Sequence, residues 1–515
     1  MIKKMAIAVI TALTAAPAFA GGLLTNTNQS VHFLRNPARN ASTEIDAVYT
    51  NPAGLTFLSD GLHLSLTSQS AFQTRTISST FEGFKFADGN NGSTTKIFKG
   101  EASAPVIPSF QLAYKKDKLV FSTSFAITGG GGKATFNNGL PSFESQIAKT
   151  PISLNASGLP TTGYSVQSYM EGQQYIFGWQ INSSYKINEN FSAALGVRLN
   201  IVNSKYEGYL RNIQFTVGGS NLTINQLYAV LASSATTTAT NLGALPSTYT
   251  IGQLVTAGYL TSTDALKLTK GLGKDVTNLT VAQVKSDYTN VAAGYTSAAN
   301  TDQNKELNCT QTGWGVTPVI GLNYHVQNLN LAVRYEFLTS LNIQNDTKVN
   351  TTGVAAYDHG VNTPNDIPAL LSLGAEYEFF DKLKISAGYH HFFDSDAKMA
   401  NNKQQYINGG VNEYLFGAEY KFTERFLLSA GGQITRTGVT DAYQSDMSFS
   451  LNSYSIGFGG AFSITEKLRL NLAYFVTNYE DWTKVSTSYN GTGLAGTDVF
   501  ARTNKVFGIG VDYKF

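Results

Sequence analysis

The sequence predicts an all-β fold: a fourteen-stranded antiparallel transmembrane β-barrel plugged by an N-terminal hatch, with short helices in the hatch and the extracellular loops. Three observations carry this. From residue 61 onward, large apolar residues hold every other position, as in Leu62-His63-Leu64-Ser65-Leu66-Thr67 and Leu468-Arg469-Leu470-Asn471-Leu472-Ala473-Tyr474; this is the period of a strand with two unlike faces. Very short polar links alternate with long Gly/Asn/Ser/Thr-rich ones, the asymmetry of outer-membrane barrels. The first twenty residues read as an export signal, yet nothing later is apolar for long enough to span a bilayer as a helix.

Composition agrees. A chain of 515 residues would ordinarily divide into several soluble domains, but closed barrels run long as single units. Charged residues make up 14%, well under the roughly 25% of soluble domains. The formal net charge of +2 comes from Lys3 and Lys4; without them 35 basic groups face 35 acidic ones, so no nucleic-acid footprint is expected.

Residues 1–20 form a signal peptide with a basic start at Lys3-Lys4, an apolar run from Met5 to about Ala16 and the small-x-small site Ala18-Phe19-Ala20. Residues 21–60 lack the strand period and form the expected hatch, and 61–515 form the barrel. Six short links, at Lys115-Lys116-Asp117-Lys118, Asn188-Glu189-Asn190, Gln327-Asn328, Asp381-Lys382, Thr423-Glu424-Arg425 and Thr465-Glu466-Lys467, each join two alternating runs. The long links fall at about 77–106, 129–172, 208–311, 346–366, 397–408, 439–446 and 483–502. The count of strands is even, which places both termini on the short-turn, periplasmic side.

The final run, Lys505 to Phe515, sets Phe507, Ile509, Val511, Tyr513 and Phe515 on one face and resembles the C-terminal signal read by the barrel-assembly machinery. Tyr114, Tyr185, Tyr324, Tyr420 and Phe422 near the short turns, with Tyr389 and Tyr479 towards the loops, are expected in two interfacial girdles facing lipid. Helix-like runs at 224–231, 263–268 and 280–284 lie within the longest loop, 208–311, and Ile224, Leu227, Val230 and Leu231 make one apolar stripe there. Cys309, the only cysteine, is expected in that loop and excludes an intramolecular disulfide framework.

If the large apolar residues face lipid, their alternates face the lumen. Arg198, Arg334, Glu336, Glu376, Glu378 and Arg469 are candidate lumen charges, beside Lys384, Glu413 and Glu419. They brace the wall and hold the hatch, or one cation captures a ligand carboxylate. Within the hatch, two Asn-Pro-Ala triplets, Asn36-Pro37-Ala38 and Asn51-Pro52-Ala53, form rigid bends. Ser42 to Tyr49 between them reads as a short helix with an acidic first turn. No catalytic set, metal site or cofactor site is expected: His390 and His391 point to opposite faces of a strand, and Gly129 to Gly132 lacks the Lys-Ser/Thr of a phosphate loop.

With its signal peptide, hatch-like 21–60 segment, Asn51-Pro52-Ala53-Gly54-Leu55 just before the first strand, strand count and aromatic C-terminus, the chain resembles the FadL-type outer-membrane transporters of long-chain fatty acids and other hydrophobic compounds. The resemblance implies a ligand caught by an extracellular apolar groove, passed to a lumen pocket and released sideways into outer-membrane lipid through a kink in the third strand. It makes Gly129, Gly130, Gly131 and Gly132, after Leu119 to Thr128, the candidate lateral opening; a flexible loop start is the other reading. The expected protein is a non-enzymatic, cofactor-free monomer of a Gram-negative outer membrane. Its expected function is passive uptake of hydrophobic molecules, foremost long-chain fatty acids. The alternative is a solute-selective aqueous porin with a plug segment.

Overall fold

Alternation in the sequence becomes a wall with two faces. A computed structural model describes residue 23 and residues 26–515; the predicted signal peptide lies outside the described residues. The wall consists of β1 (Gly61–Phe81), β2 (Thr95–Lys116), β3 (Leu119–Phe136), β4 (Thr161–Lys186), β5 (Phe191–Val217), β6 (Lys305–Val326) and β7 (Leu329–Glu336). It continues through β8 (Leu370–Phe379), β9 (Leu383–Phe392), β10 (Asn412–Lys421), β11 (Phe426–Arg436), β12 (Ser453–Ser463), β13 (Leu468–Tyr479) and β14 (Gly496–Lys514). Each strand pairs antiparallel with the next, and β14 pairs back to β1 from His63↔Lys514 to Phe81↔Gly496. This closes a fourteen-stranded barrel with no free edge, as a sheet in hydrocarbon requires. The segment Asn342–Asn350 resumes β7 beyond a break, and Ser220–Thr223, Asn362–Pro364 and Trp482–Ser486 are short additions to the same sheet. Among the described residues no helix is long and apolar enough to cross a membrane.

Across the middle of the wall Leu195, Val197, Trp314, Val316, Phe416, Ile456, Phe458, Leu472 and Ile509 are exposed on the outside. Their strand neighbours, such as Arg198, Thr317 and Asn471, are buried on the inside. That polarity is the reverse of a soluble sandwich and suits a lipid-facing band. Tyr114, Tyr185, Tyr324, Tyr420 and Phe422 are exposed near the short-turn rim, as the girdle reading predicts. Tyr479 is a correction: it lines the lumen, with the Arg502 guanidinium 5.0 Å above its ring.

The strands are unequal. β8, β9 and β10 have 10 residues each, close to the ~9–11 a bilayer needs, whereas β4 has 26 and β5 has 27. Much of the predicted loops at 77–106, 129–172 and 208–311 is therefore tall wall. Above the membrane the alternation inverts, with Ile77, Phe81, Phe98, Phe136, Tyr206, Leu210 and Phe215 turned inward into one apolar core. The outward residues there meet water, so they are polar and the segments read as loops. Cys309 belongs to this tall wall rather than to a loop, buried on β6 with the Thr347 hydroxyl donating to its Sγ at 3.1 Å.

Two short helices, α1 (Val31–Arg35) and α2 (Ala47–Thr50), lie in the N-terminal segment. The helix expected over 42–49 shrinks to α2, because the Ser42 hydroxyl and the Asp46 carboxylate are committed to Arg39 instead of to a helix end. Helix α3 (Pro141–Ala156) packs into the barrel mouth. In the longest loop α4 (Ile224–Leu242), α5 (Ile251–Thr256), α6 (Ser262–Leu272) and α7 (Val281–Ala299) contain the predicted helical runs. Each opens on a capping box, Thr223/Gln226, Thr250/Gln253, Thr261/Asp264 and Thr280/Gln283. The four share an apolar core around Leu242, Ile251, Leu254, Val276 and Val284.

Candidate functional site

The lumen is occupied by the chain's own N-terminal segment. From Gln29 to Leu55 almost every residue is buried, and wall side chains serve its backbone. The Ser184 and Ser192 hydroxyls donate to the Pro52 and Ala53 carbonyls at 2.7 and 2.8 Å. Asn182 donates to Val48 O at 3.0 Å, Asn330 to Ala41 O at 2.6 Å, and Arg334 to Tyr49 O. Asn51 donates through Nδ2 to Ser42 O at 3.0 Å and to Asn323 Oδ1 at 2.7 Å, which folds the segment back on itself and pins it to β6. Pro52 opens a 3-10 turn, Pro52–Phe57, and Leu55 packs with Ile45, Val48, Ala113 and Val120. Asn51, Pro52, Ala53, Gly54 and Leu55 thus join the luminal segment to the start of the wall.

The predicted lumen charges divide into two groups around this segment. In one, Arg35 and Arg39 reach Glu419 on β10, Arg39 also binds Asp46 at 2.7 Å and Glu44 at 2.8 Å, and Arg469 approaches Glu44 at 3.4 Å. Glu376 stands beside this group, paired to Lys384 at 3.1 Å. In the other, Glu336 binds Arg198 and, at 3.1 Å, Arg334, and both guanidinium groups lie over the Tyr49 ring at 5.5 and 5.0 Å. Glu378 joins neither; it pairs with Lys421 at 2.6 Å near the short-turn rim, partly exposed.

Sequence reasoning missed a belt of glycines at inward positions. A Cβ on Gly508 would stand 2.6 Å from Leu34 Cδ1, one on Gly510 2.6 Å from Val31 Cγ1, and one on Gly431 2.6 Å from Pro37 Cδ. Gly374 faces Ala41, Gly388 faces Asn40, Gly417 faces Asn36 and Gly457 faces Leu34. Half the wall is thereby stripped of side chains where the segment presses on it. The signal was available as a small residue recurring at one height on β8 to β12 and β14.

The predicted lateral opening falls within a strand, since β3 continues through Gly129, Gly130, Gly131 and Gly132 to Phe136. Beside them the ladder is broken: β2 pairs with β3 at Gly100–Ala102 and again from Phe110, with no pairing between. Pro105 and Pro108 sit in the unpaired stretch of β2 and have no N–H to offer. Gly130 and Gly132 take φ of 87° and 75°, which favours glycine, and the β3–β4 register slips at Gly129. From inside, the start of the luminal segment lies across this gap. Asn26 bonds to Thr128 O and Gly130 O, both at 2.9 Å, while Gln69 and Ser109 donate to Asn28 O and Gln29 O at 2.8 and 2.6 Å.

Behind the gap is a cavity of about 160 Å³ whose lining includes Gln29, Phe33, Pro108, Gly130, Phe475 and Arg502. A smaller apolar space above it, about 40 Å³, is lined by Phe136, Leu140, Met170, Tyr206 and Met447, with Arg75 at its side. Arg75 and Arg502 face each other across the β1–β14 pair. Arg75 is buried, its Nε has no partner among the described residues, and its one hydrogen bond there is to Phe449 O at 3.4 Å.

These features define a transmembrane β-barrel with its lumen filled by its own N-terminal segment and a break in its wall. No protein-family model matches the sequence, and no curated protein matches it either. Solved structures do match. A FadL homologue from Pseudomonas aeruginosa is 14% identical, with 96% of this chain and 100% of that chain covered and a TM-score of 0.58. A deletion mutant of the TodX monoaromatic hydrocarbon channel is 15% identical, with 92% and 95% covered and a TM-score of 0.50. The fold is therefore that of the FadL-type outer-membrane channels.

Two outcomes follow from the seating of the segment. Gly508→Val, whose added Cβ meets Leu34 and Val31 of the segment, should leave barrel assembly intact, seen as unchanged heat-dependent gel mobility, while exposing residues 26–50 to protease. Glu419→Ala, which takes the nearest acid from Arg35 and leaves Arg39 on Asp46 and Glu44, should cost about 1.5–3 kcal/mol of seating, read as protease sensitivity of the same segment at lower denaturant.

Proposed function

We propose that the protein is a passive uptake channel for hydrophobic molecules in the outer membrane of a Gram-negative bacterium, and that its ligands are long-chain fatty acids. The observation that carries this reading is the break between β2 and β3, which borders the lumen cavity and is crossed from within, among the described residues, by Asn26 to Gln29. A lumen filled by its own chain is a poor conduit for water-soluble solutes. A hydrophobic ligand gains by passing from the lumen straight into lipid, without crossing an aqueous pore. In this scheme the N-terminal segment is the hatch, the Gly129 to Gly132 stretch is the lateral exit and outer-membrane lipid is the receiving phase.

The preference for an acid over a neutral hydrocarbon rests on Arg75. Among the described residues its buried guanidinium is held by one long bond to the Phe449 carbonyl and by that residue's ring, and a ligand carboxylate supplies an ionic partner. The apolar walls formed by Phe136, Leu140, Met170 and Tyr206 suit an acyl chain. The protein acts as a monomer, inserted through the barrel-assembly machinery by its aromatic C-terminal strand.

A strain lacking the protein should lose uptake of labelled oleate and regain it on complementation. Purified protein in planar bilayers should show no large steady conductance; such a conductance with the hatch intact would identify an aqueous pore instead. Arg75→Gln should weaken oleate binding by roughly 10- to 100-fold, the size of a lost charge-assisted bond of about 1.5–3 kcal/mol, and leave binding of a neutral alkane unchanged.

A further inference from the structure

The link between β11 and β12, residues 437–452, has no regular secondary structure, yet Tyr443, Gln444, Met447, Ser448, Phe449 and Leu451 are all buried. Loops normally run over the surface because buried backbone must be satisfied. This one turns into the barrel and closes on itself: Gln444 donates to Ser450 O at 2.6 Å and accepts from Ser450 N at 3.0 Å. It borders two spaces: Asp446 and Met447 line the upper apolar one, Ser450 and Leu451 line the cavity behind the wall break, and Phe449 lies between these pairs in the chain.

The loop is held by apolar packing, with Met447, Phe449 and Leu451 in the upper apolar core and Val439 and Tyr443 in a second one, and by polar bonds, among them Thr440 N to Tyr406 O at 3.1 Å and Trp482 Nε1 to Asp441 Oδ1 at 2.8 Å. Lys403 donates to Ser448 O at 3.1 Å and stands 4.1 Å above the Tyr443 ring. Lys484 donates to Gln444 O at 2.6 Å, and the Asp446 carboxylate accepts from Ser142 N, in the first turn of α3, at 2.7 Å. Arg75 lies 4.6 Å from the Phe449 ring centre and holds the Phe449 carbonyl at 3.4 Å, the longest of these bonds and close to the limit for one. Phe449 in turn packs on Phe500 at 4.9 Å. Three cations thus crowd one loop. Burial, then the charges of Lys484 and Arg75, push the Lys403 ammonium down to about 7 against the opposing pull of the Asp446 carboxylate.

We propose that the 437–452 loop is an internal partition that the ligand's own carboxylate unseats: the acid takes the Arg75 guanidinium from the Phe449 carbonyl and so opens the upper space onto the lower cavity. The inference rests on the fatty-acid reading above and adds a specificity step to it. A neutral chain of equal length fills the upper space but leaves Phe449 in place. Selection for the acid is then exerted on passage as well as on binding.

The test uses the full chain in detergent micelles, in a Cys309→Ala background, with a nitroxide on Ala442→Cys at the exposed tip of the loop. Oleate should mobilise the label and methyl oleate should not; Arg75→Gln should abolish the response to oleate. Oleate that displaces a fluorescent fatty acid yet leaves the label unchanged overturns the partition and spares the channel reading. Oleate that fails to bind at all overturns both. A second chain carrying Ser142→Cys and Asp446→Cys ties the loop to α3. When oxidised it should take up oleate at least tenfold more slowly in reconstituted vesicles, with recovery on reduction; equal rates in the two states overturn the proposal.

Discussion

A chain segment that lies inside a barrel without being helix or strand carries carbonyls and amides that nothing local satisfies, and in this molecule that need shapes everything around it. The wall answers with side chains. Ser184, Ser192, Asn182, Asn330, Arg334, Gln69 and Ser109 each donate to a carbonyl of the luminal segment. A strand that supplies such a donor has its facing settled, because a slip by one residue would turn the donor into lipid and an apolar residue into the lumen. The segment therefore does more than occupy the barrel. It makes the register of β1, β2, β4, β5 and β7 costly to change.

Two further features accompany the segment. On the side of the barrel that supplies none of these donors, the glycines on β8 to β12 and β14 let the segment press directly on the wall. Close approach also removes water from any charge in the contact, so charges there must be paired within the protein. Glu419 meets Arg35 and Arg39, Glu336 meets Arg198 and Arg334, and His32 meets Asp512 at 3.0 Å. Buried pairs of this kind add little net stability over apolar packing but penalise any misplacement heavily. The arrangement favours one seating of the segment over others more than it strengthens the barrel.

Much of this was legible in the sequence, and the remainder was hidden for identifiable reasons. Strand number, turn positions and the boundary at Asn51-Pro52-Ala53 follow from alternation and from short polar links, both of which are local. The upper thirds of β4 and β5 were hidden because their alternation inverts where the outside becomes water, so Leu210, Ile213 and Phe215 look like scattered apolar residues in a loop. Tyr479 was misplaced on the same grounds: an aromatic near a strand end reads as a girdle residue unless the facing is known. Arg75 and Arg502 lie near opposite ends of the chain and meet only because β14 closes on β1. The wall break had a readable half, the four glycines. Its other half, Pro105 and Pro108, gains meaning only once β2 is known to run beside them.

The placement of these parts separates holding from passage. The ion pairs and the glycine belt anchor the luminal segment from Val31 to Asp46, chiefly on the β8 to β14 side of the barrel. The gap, the cavity and the Arg75–Arg502 pair belong to β14, β1, β2 and β3. At the gap itself the described part of the segment is Asn26 to Gln29, held by individual hydrogen bonds to Thr128, Gly130, Gln69 and Ser109. Such bonds contribute about 0.5–1.5 kcal/mol each, far less than breaking the buried charge network would cost. The leading residues at the gap are therefore held less firmly than the ion-paired part of the segment.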